Sequence, residues 1–104
     1  MIAYNISVKV EWSILEAWLV WQLEEHIPAM MATGLFDDYK MYRLLEQDDT
    51  DGPGFTIQYF TTDLERYRLY SLEFASIFTQ EAGNKWGNKF IAFHTLMESL
   101  EAGS

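Results

Sequence analysis

The spacing of the apolar residues changes several times along this chain of 104 residues, and the order of those changes constrains the fold more than any other feature. Apolar residues alternate with smaller or polar ones over Ile2–Val10, as they do in a half-buried strand. Helical spacing follows at residues 14–25, Pro28 predicts that the regular helix ends or kinks there, and Thr33-Gly34 is predicted to close the segment. Strand-like spacing returns at residues 35–47. Turn-forming residues then lead into a third predicted strand at residues 55–61.

The second half of the chain repeats the helix and strand. Thr62 or Asp63 is predicted to cap a helix that continues to about Phe78. Glycine and asparagine at residues 83–84 and 87–88 predict a break, and residues 89–100 alternate as a fourth strand. The predicted order is β-α-β-β-α-β. Right-handed crossovers then give one ferredoxin-like α+β domain over residues 1–104, a four-stranded antiparallel sheet with two helices on one face.

The sheet face opposite the helices is predicted to be apolar, although such a face meets water in a monomer. The residues assigned to it, or else their equally apolar neighbours, are Met41, Leu45, Phe90, Ala92 and Leu96. A second copy of the same sheet would cover this face, because a two-fold interface needs only one self-complementary surface. We therefore predict a homodimer that pairs sheet to sheet, as a dimeric α/β barrel.

The charge of the chain excludes several classes of partner. Sixteen acidic and seven basic residues give a formal net charge of -9, which repels nucleic acid and anionic membranes. The N-terminus shows no secretory signal and no apolar run reaches the ~20 residues of a membrane span, so a cytoplasmic protein is predicted.

Metal and thiol chemistry also lack support in the sequence. The chain has no cysteine, and neither histidine has a partner at the spacing of a helical zinc pair. The acidic residues at 48–51 precede a glycine, but the glutamate that would complete a calcium loop is missing. We predict no metal site and no cofactor.

Six segments of the chain resemble an uncharacterised family of small bacterial proteins, a domain of unknown function frequent in Bacteroidetes. The segments are IAYNISV at residues 2–8, WLVW at 18–21, EHIP at 25–28, ATGLF at 32–36, QYF at 58–60 and KFIAF at 89–93. The chain is also similar to the wider dimeric α/β-barrel superfamily, which includes cofactor-free monooxygenases, haem-degrading enzymes, lactone isomerases and stress-response proteins. This resemblance implies a fold and a dimer, since one fold hosts many activities.

Two histidines are the catalytic candidates. His26, beside Glu25 near the predicted end of the first helix, suits a general base or proton shuttle; the alternative is a histidine that caps the helix C-terminus. His94 lies on the predicted partner-facing side of the fourth strand. It is either a site residue inside the barrel or a buried histidine bonded to a strand neighbour such as Gln58.

A small polar set completes the predicted ligand site. Asn5, Ser7, Arg43 and Gln58 join His94 if the strand registers align, which would place a few polar groups among apolar walls. Arg43 could instead reach a carboxylate across the dimer. Two functions stay open: a small-molecule-binding or cofactor-free enzymatic barrel, and a non-enzymatic interaction or regulatory dimer whose interior is filled by its own side chains.

Overall fold

The computed structural model describes residues 1–103, which form one antiparallel sheet and two helical crossovers. The strands are β1 (Ile2–Val10), β2 (Asp38–Arg43), β3 (Gly54–Thr61) and β4 (Phe90–Glu98). Their order across the four-stranded sheet is β2-β3-β1-β4, and every neighbouring pair is antiparallel. The ferredoxin-like fold predicted from the sequence is confirmed.

Each crossover contains an interrupted helix. The first begins with a 3₁₀ turn at Trp12–Ile14 and continues as α1 (Leu15–Trp21), a π-helical turn (Gln22–His26) and α2 (Ile27–Ala32). The second contains α3 (Leu64–Glu73) and α4 (Ala75–Trp86), which meet at Phe74. The side chain of Asp63 accepts a hydrogen bond from the backbone N–H of Glu65, so the predicted cap of this second helix is confirmed.

The core lies between the helices and one face of the sheet. The alternating residues Ile2, Tyr4, Ile6, Val8 and Val10 of β1 are all buried. Large side chains from both crossovers and from β3 cover them, among them Trp18, Met30, Ile57, Tyr59 and Tyr70. No helix among the described residues has both the length and the apolar character needed to cross a bilayer.

The predicted helix ends are right in part: the regular α-helix of the first crossover is interrupted before Pro28, and Gly34 (φ 73°) and Gly87 follow the two helical segments. Helical winding nevertheless continues past Pro28 and Gly83. The first helix continues past Pro28, whose ring in a regular α-helix would clash with the carbonyl of Glu24. The chain relieves this crowding with the wider π turn, in which the N–H of Ile27 donates to the carbonyl of Gln22, five residues back. The second helix also continues through Gly83, and a residue with positive φ first follows it at Gly87 (φ 61°).

The register of β4 reverses the predicted orientation of its side chains. His94 lies opposite Ile6, Ala92 opposite Val8 and Phe90 opposite Val10, so these residues face the helices. The prediction that Phe90, Ala92, His94 and Leu96 face a partner sheet is therefore wrong.

Two residues assigned to the open face on the other edge of the sheet are also misplaced. Met41 lies opposite the buried Ile57, on the helix side, and Leu45 lies beyond the end of β2. The open face nevertheless has the apolar character predicted for it, because the alternate residues Ile91 and Phe93 of β4 are 58% and 68% exposed there.

Candidate functional site

A partly enclosed cavity of about 80 Å³ lies between the helices and the sheet. The sheet contributes Ile6, Val8, Ile57, Phe90, Ala92 and His94. The helical crossovers contribute Trp18, Trp21, Gln22, His26, Tyr70, Phe78, Thr79 and Ala82. None of these lining residues is Asp, Glu, Lys or Arg, so the walls are apolar apart from a few neutral polar groups. Such walls are typical of a site for a small uncharged molecule.

His26 enters the cavity from the π-helical turn. Its imidazole stacks on the indole of Trp21, with ring centroids 4.7 Å apart, and meets the edge of the Phe78 ring at 5.6 Å. Burial lowers the pKa of His26 to about 4, so the imidazole is neutral at neutral pH. The alternative that His26 caps a helix C-terminus is wrong, because the helix continues to Ala32.

His94 is held by a tyrosine on the neighbouring strand. The hydroxyl of Tyr4 lies 2.5 Å from Nδ1 of His94. Burial raises the pKa of Tyr4 to about 12 and lowers the pKa of His94, so both groups are neutral at neutral pH. The protonated phenol donates to Nδ1, and the neutral imidazole therefore carries its own proton on Nε2. Because His94 both lines the cavity and is exposed, it stands at the cavity mouth.

Gln22 is the cavity residue that the sequence analysis missed. It belongs to the same π-helical turn as His26 and is only 2% exposed. Within residues 1–103, its side-chain nitrogen Nε2 has no hydrogen-bond partner. The available signal was its place four residues after Trp18, on the helix stripe that faces the sheet. A polar residue on such a stripe is expected to be buried and to need a partner.

The polar residues predicted to form one site lie on opposite faces of the sheet. Asn5 and Gln58 face each other across β1 and β3 on the open face, while His94 lies on the helix side. The amide of Asn5 donates to the hydroxyl of Ser7 at 3.1 Å and accepts from the hydroxyl of Thr56 at 2.5 Å. Asn5 and Ser7 therefore satisfy one another locally and do not meet His94.

Arg43 and Gln58 do not take the positions predicted for them relative to His94. Arg43 ends β2 opposite Phe55, on the helix side, where it is exposed and forms no ion pair within the described part of the chain. Gln58 cannot be the hydrogen-bond partner of His94, because the two side chains point to opposite faces of the sheet. The partner is Tyr4.

Residues 1–100 match the family described as a domain of unknown function, DUF4286. The chain belongs to the DUF4286 family. This membership confirms the family resemblance seen in the sequence. No curated protein matches the chain.

Solved structures share the fold of this DUF4286 chain at low sequence identity. An ethyl tert-butyl ether D (EthD) family protein from Bacillus halodurans is similar with a TM-score of 0.67 and 12% identity, over 96% of this chain and 100% of that one. SnoaB, a cofactor-independent oxygenase from Streptomyces nogalater, has a TM-score of 0.62 and 16% identity, over 97% of this chain and 94% of that one. A dimeric ferredoxin-like protein from an uncultured marine organism has a TM-score of 0.63 and 10% identity, over 99% of this chain and 97% of that one. These similarities show the fold alone.

The DUF4286 cavity brings together three neutral groups that can donate or accept a proton or a hydrogen bond. Gln22 and His26 come from one turn of the first crossover, and His94 comes from the opposite wall. The neutral imidazole of His26 has a basic nitrogen that can accept a proton from a bound molecule, and Nε2–H of His94 can donate a hydrogen bond to it. This arrangement can therefore orient a small ligand and take a proton from it without any charged side chain.

Proposed function

We propose that the protein is a homodimer that pairs through its open sheet faces, and that each protomer binds a small molecule in the cavity between its own helices and sheet. The observation that carries this proposal is the convergence of neutral polar groups, His26 and His94 with Gln22, on an otherwise apolar cavity. Bound there, a ligand lies beside one imidazole that can accept a proton, His26, and one that can donate a hydrogen bond, His94, which supports chemistry without a cofactor.

The open face supports the dimer part of the proposal. Ile91, Phe93 and Met97 of β4 are 58%, 68% and 38% exposed, and their strand register places them on the open face. An apolar sheet face of this kind is covered most simply by a second copy. The uncultured-marine-organism protein of the same fold is described as dimeric. In such a dimer, Asn5 and Gln58 line the space between the two sheets, whereas Arg43 points to the opposite face of the sheet.

The local pairing of the open-face polar groups favours the helix-side cavity as the ligand site. Asn5, Ser7 and Thr56 already form hydrogen bonds with one another. Few polar groups between the sheets are therefore left to bind a ligand. The amide nitrogen of Gln22 has no partner within residues 1–103. A buried polar group without a partner is expected to receive one from a ligand or from water.

Sedimentation equilibrium at several protein concentrations tests the dimer. We expect a mass of twice the chain's 12.2 kDa at micromolar concentration. A mass of 12.2 kDa would contradict the pairing of sheets and leave the open face for a different partner.

Ligand-observed ¹⁹F NMR with fluorobenzene tests the cavity. We expect the wild-type protein to broaden the fluorobenzene signal, and Ala82→Phe, which places a ring in the cavity, to abolish the broadening. Ala17→Phe is the matched control, because Ala17 is exposed on α1 and does not line the cavity. If wild type does not broaden the signal, or Ala82→Phe still does, the cavity is not the binding site. That result would favour the alternative function, a non-enzymatic interaction or regulatory dimer.

A further inference from the structure

We propose that the ligand of this cavity is a neutral aromatic carbonyl compound of about one ring, whose oxygen accepts a hydrogen bond from Nε2 of Gln22. The inference rests on the function proposed above and specifies the class of ligand. Neither the family nor the similar structures assign a role to this glutamine.

The first argument is the unmet hydrogen-bonding capacity of Gln22. Its side chain is almost fully buried, it lines the cavity, and its amide nitrogen has no acceptor within the described residues. An amide nitrogen carries two N–H donors, and leaving them unpaired in an apolar interior costs free energy. A ligand oxygen placed in the cavity would remove that cost. A group that would satisfy the amide nitrogen of Gln22 is therefore a hydrogen-bond acceptor.

The opposite wall offers a second donor. The hydroxyl of Tyr4 occupies Nδ1 of His94, which leaves Nε2–H as the free donor of that neutral ring. Two walls of one cavity thus present N–H groups, and a carbonyl oxygen has two lone pairs to accept them.

The walls also define the charge and shape of the ligand. The lining has no charged side chain, and the chain has a formal net charge of -9, so neither an anion nor a cation finds a local counter-charge and an anion is also repelled. Trp21, Tyr70, Phe78 and Phe90 present rings, which favour a flat apolar partner. The enclosed 80 Å³ is smaller than a cavity of roughly 150 Å³ that holds benzene. One ring is therefore larger than the enclosed space, so part of the ring lies in the open mouth of the cavity.

A matched pair of probes isolates the carbonyl. Acetophenone and ethylbenzene have nearly the same shape, but only acetophenone has an acceptor oxygen. Titration of ¹⁵N-labelled protein, followed through the amides of the cavity residues Thr79 and Ala82, gives a dissociation constant for each probe. We expect wild type to bind acetophenone about tenfold more tightly than ethylbenzene.

The variants assign that preference to Gln22. Gln22→Met keeps the length of the side chain and removes the donor, so we expect the two probes to bind within about twofold of each other. Gln80→Met is the matched control, since Gln80 is exposed on α4, and it should keep the wild-type preference.

The failure of this inference is distinguishable from the failure of the proposed function. If wild type binds neither probe at the cavity amides, both the ligand class and the cavity as a binding site are overturned. If both probes bind without a preference, or Gln22→Met retains the preference, the aromatic-carbonyl assignment is overturned while the cavity remains a binding site.

Discussion

The imidazole of His26 and the indole of Trp21 stack with their centroids 4.7 Å apart and their planes 23° from parallel. The two residues are five positions apart, on either side of the start of the π-helical turn. Phe78 of α4 closes the imidazole from the side. An imidazolium in this position would lose its hydration without gaining a carboxylate, which explains why burial lowers the pKa of His26 to about 4.

This shift predicts a loss of stability in mild acid. The pKa of His26 is about 4 in the folded protein and 6.5 in the unfolded chain, so between these values the unfolded chain binds more protons. The free energy of unfolding should therefore fall by about 2–3 kcal/mol as the pH decreases from 6.5 to 4. Urea unfolding at several pH values measures the slope of the free energy of unfolding against pH. His26→Phe should flatten it, and an unchanged slope in that variant would assign the acid sensitivity to other groups.

Replacement of Tyr4 by Phe should remove the hydrogen bond to Nδ1 of His94. Burial lowers the pKa of His94. The phenol of Tyr4 also donates to the neutral imidazole and so stabilises the uncharged form, and without this hydrogen bond we expect the pKa of His94 to rise. The free energy of unfolding should fall by about 1 kcal/mol. NMR titration of the imidazole carbon-bound protons gives the pKa. Tyr42→Phe, on the open face, is the control, and an equal pKa in wild type and Tyr4→Phe would contradict the assignment.

The Gln22→Met variant should be more stable than wild type. The change replaces an unpartnered buried amide with an apolar side chain of similar length, so we expect the free energy of unfolding to rise by about 1 kcal/mol. Chemical denaturation measures it, with Gln80→Met as the control that should leave stability unchanged. A destabilised Gln22→Met protein would mean that the amide has a partner in solution. A stabilising change at a proposed binding residue is common where function conflicts with stability.

A single charge on the open face should dissociate the proposed dimer. Phe93 is 68% exposed in the protomer and lies at the centre of the open face of β4, so Phe93→Lys would bury an unpaired charge between the sheets. Sedimentation equilibrium should then show the monomer mass. Leu72→Lys on α3 is the control, since Leu72 is 80% exposed but lies on the helix side of the molecule. Equal masses for both variants would place the interface elsewhere.

Two glycines should respond to alanine in opposite directions. A methyl group on Gly52 would lie 1.8 Å from the carbonyl oxygen of Val10, at a φ of +147°, so Gly52→Ala should cost at least about 2 kcal/mol. Gly83 lies inside α4 with open space around it, and Gly83→Ala should add about 0.5–1 kcal/mol. Thermal unfolding of both variants gives the comparison, and destabilisation by Gly83→Ala would contradict it.

Periodicity alone was sufficient to predict the fold. The alternation of β1 and the cap at Asp63 are local signals, and the structure follows both. The helices continue past Pro28 and Gly83 because these residues are unfavourable only locally. The π turn accommodates the proline, and the packing of the Trp86 ring against Trp21 keeps the helix intact beyond the glycine.

The candidate site was harder to predict, for a physical reason. Both sides of β4 are apolar, with Phe90 and Ala92 on one and Ile91 and Phe93 on the other, so the pattern does not indicate which side faces the helices. That ambiguity placed His94 on the wrong face. Gln22 was overlooked because the consequence of a polar residue on a buried stripe depends on whether a neighbour pairs with it, which spacing cannot reveal.

The π-helical turn at Gln22–His26 makes the cavity depend on the length of the chain as well as on its side chains. Deletion of one residue from this turn, together with replacement of Pro28, would restore ordinary helical winding and rotate the preceding helix by about 100° relative to α2. Gln22 and Trp18 would then leave the sheet together, and other residues would fill the space between helix and sheet. The number of residues in this turn thus determines which side chains face the sheet, and the cavity depends on that number.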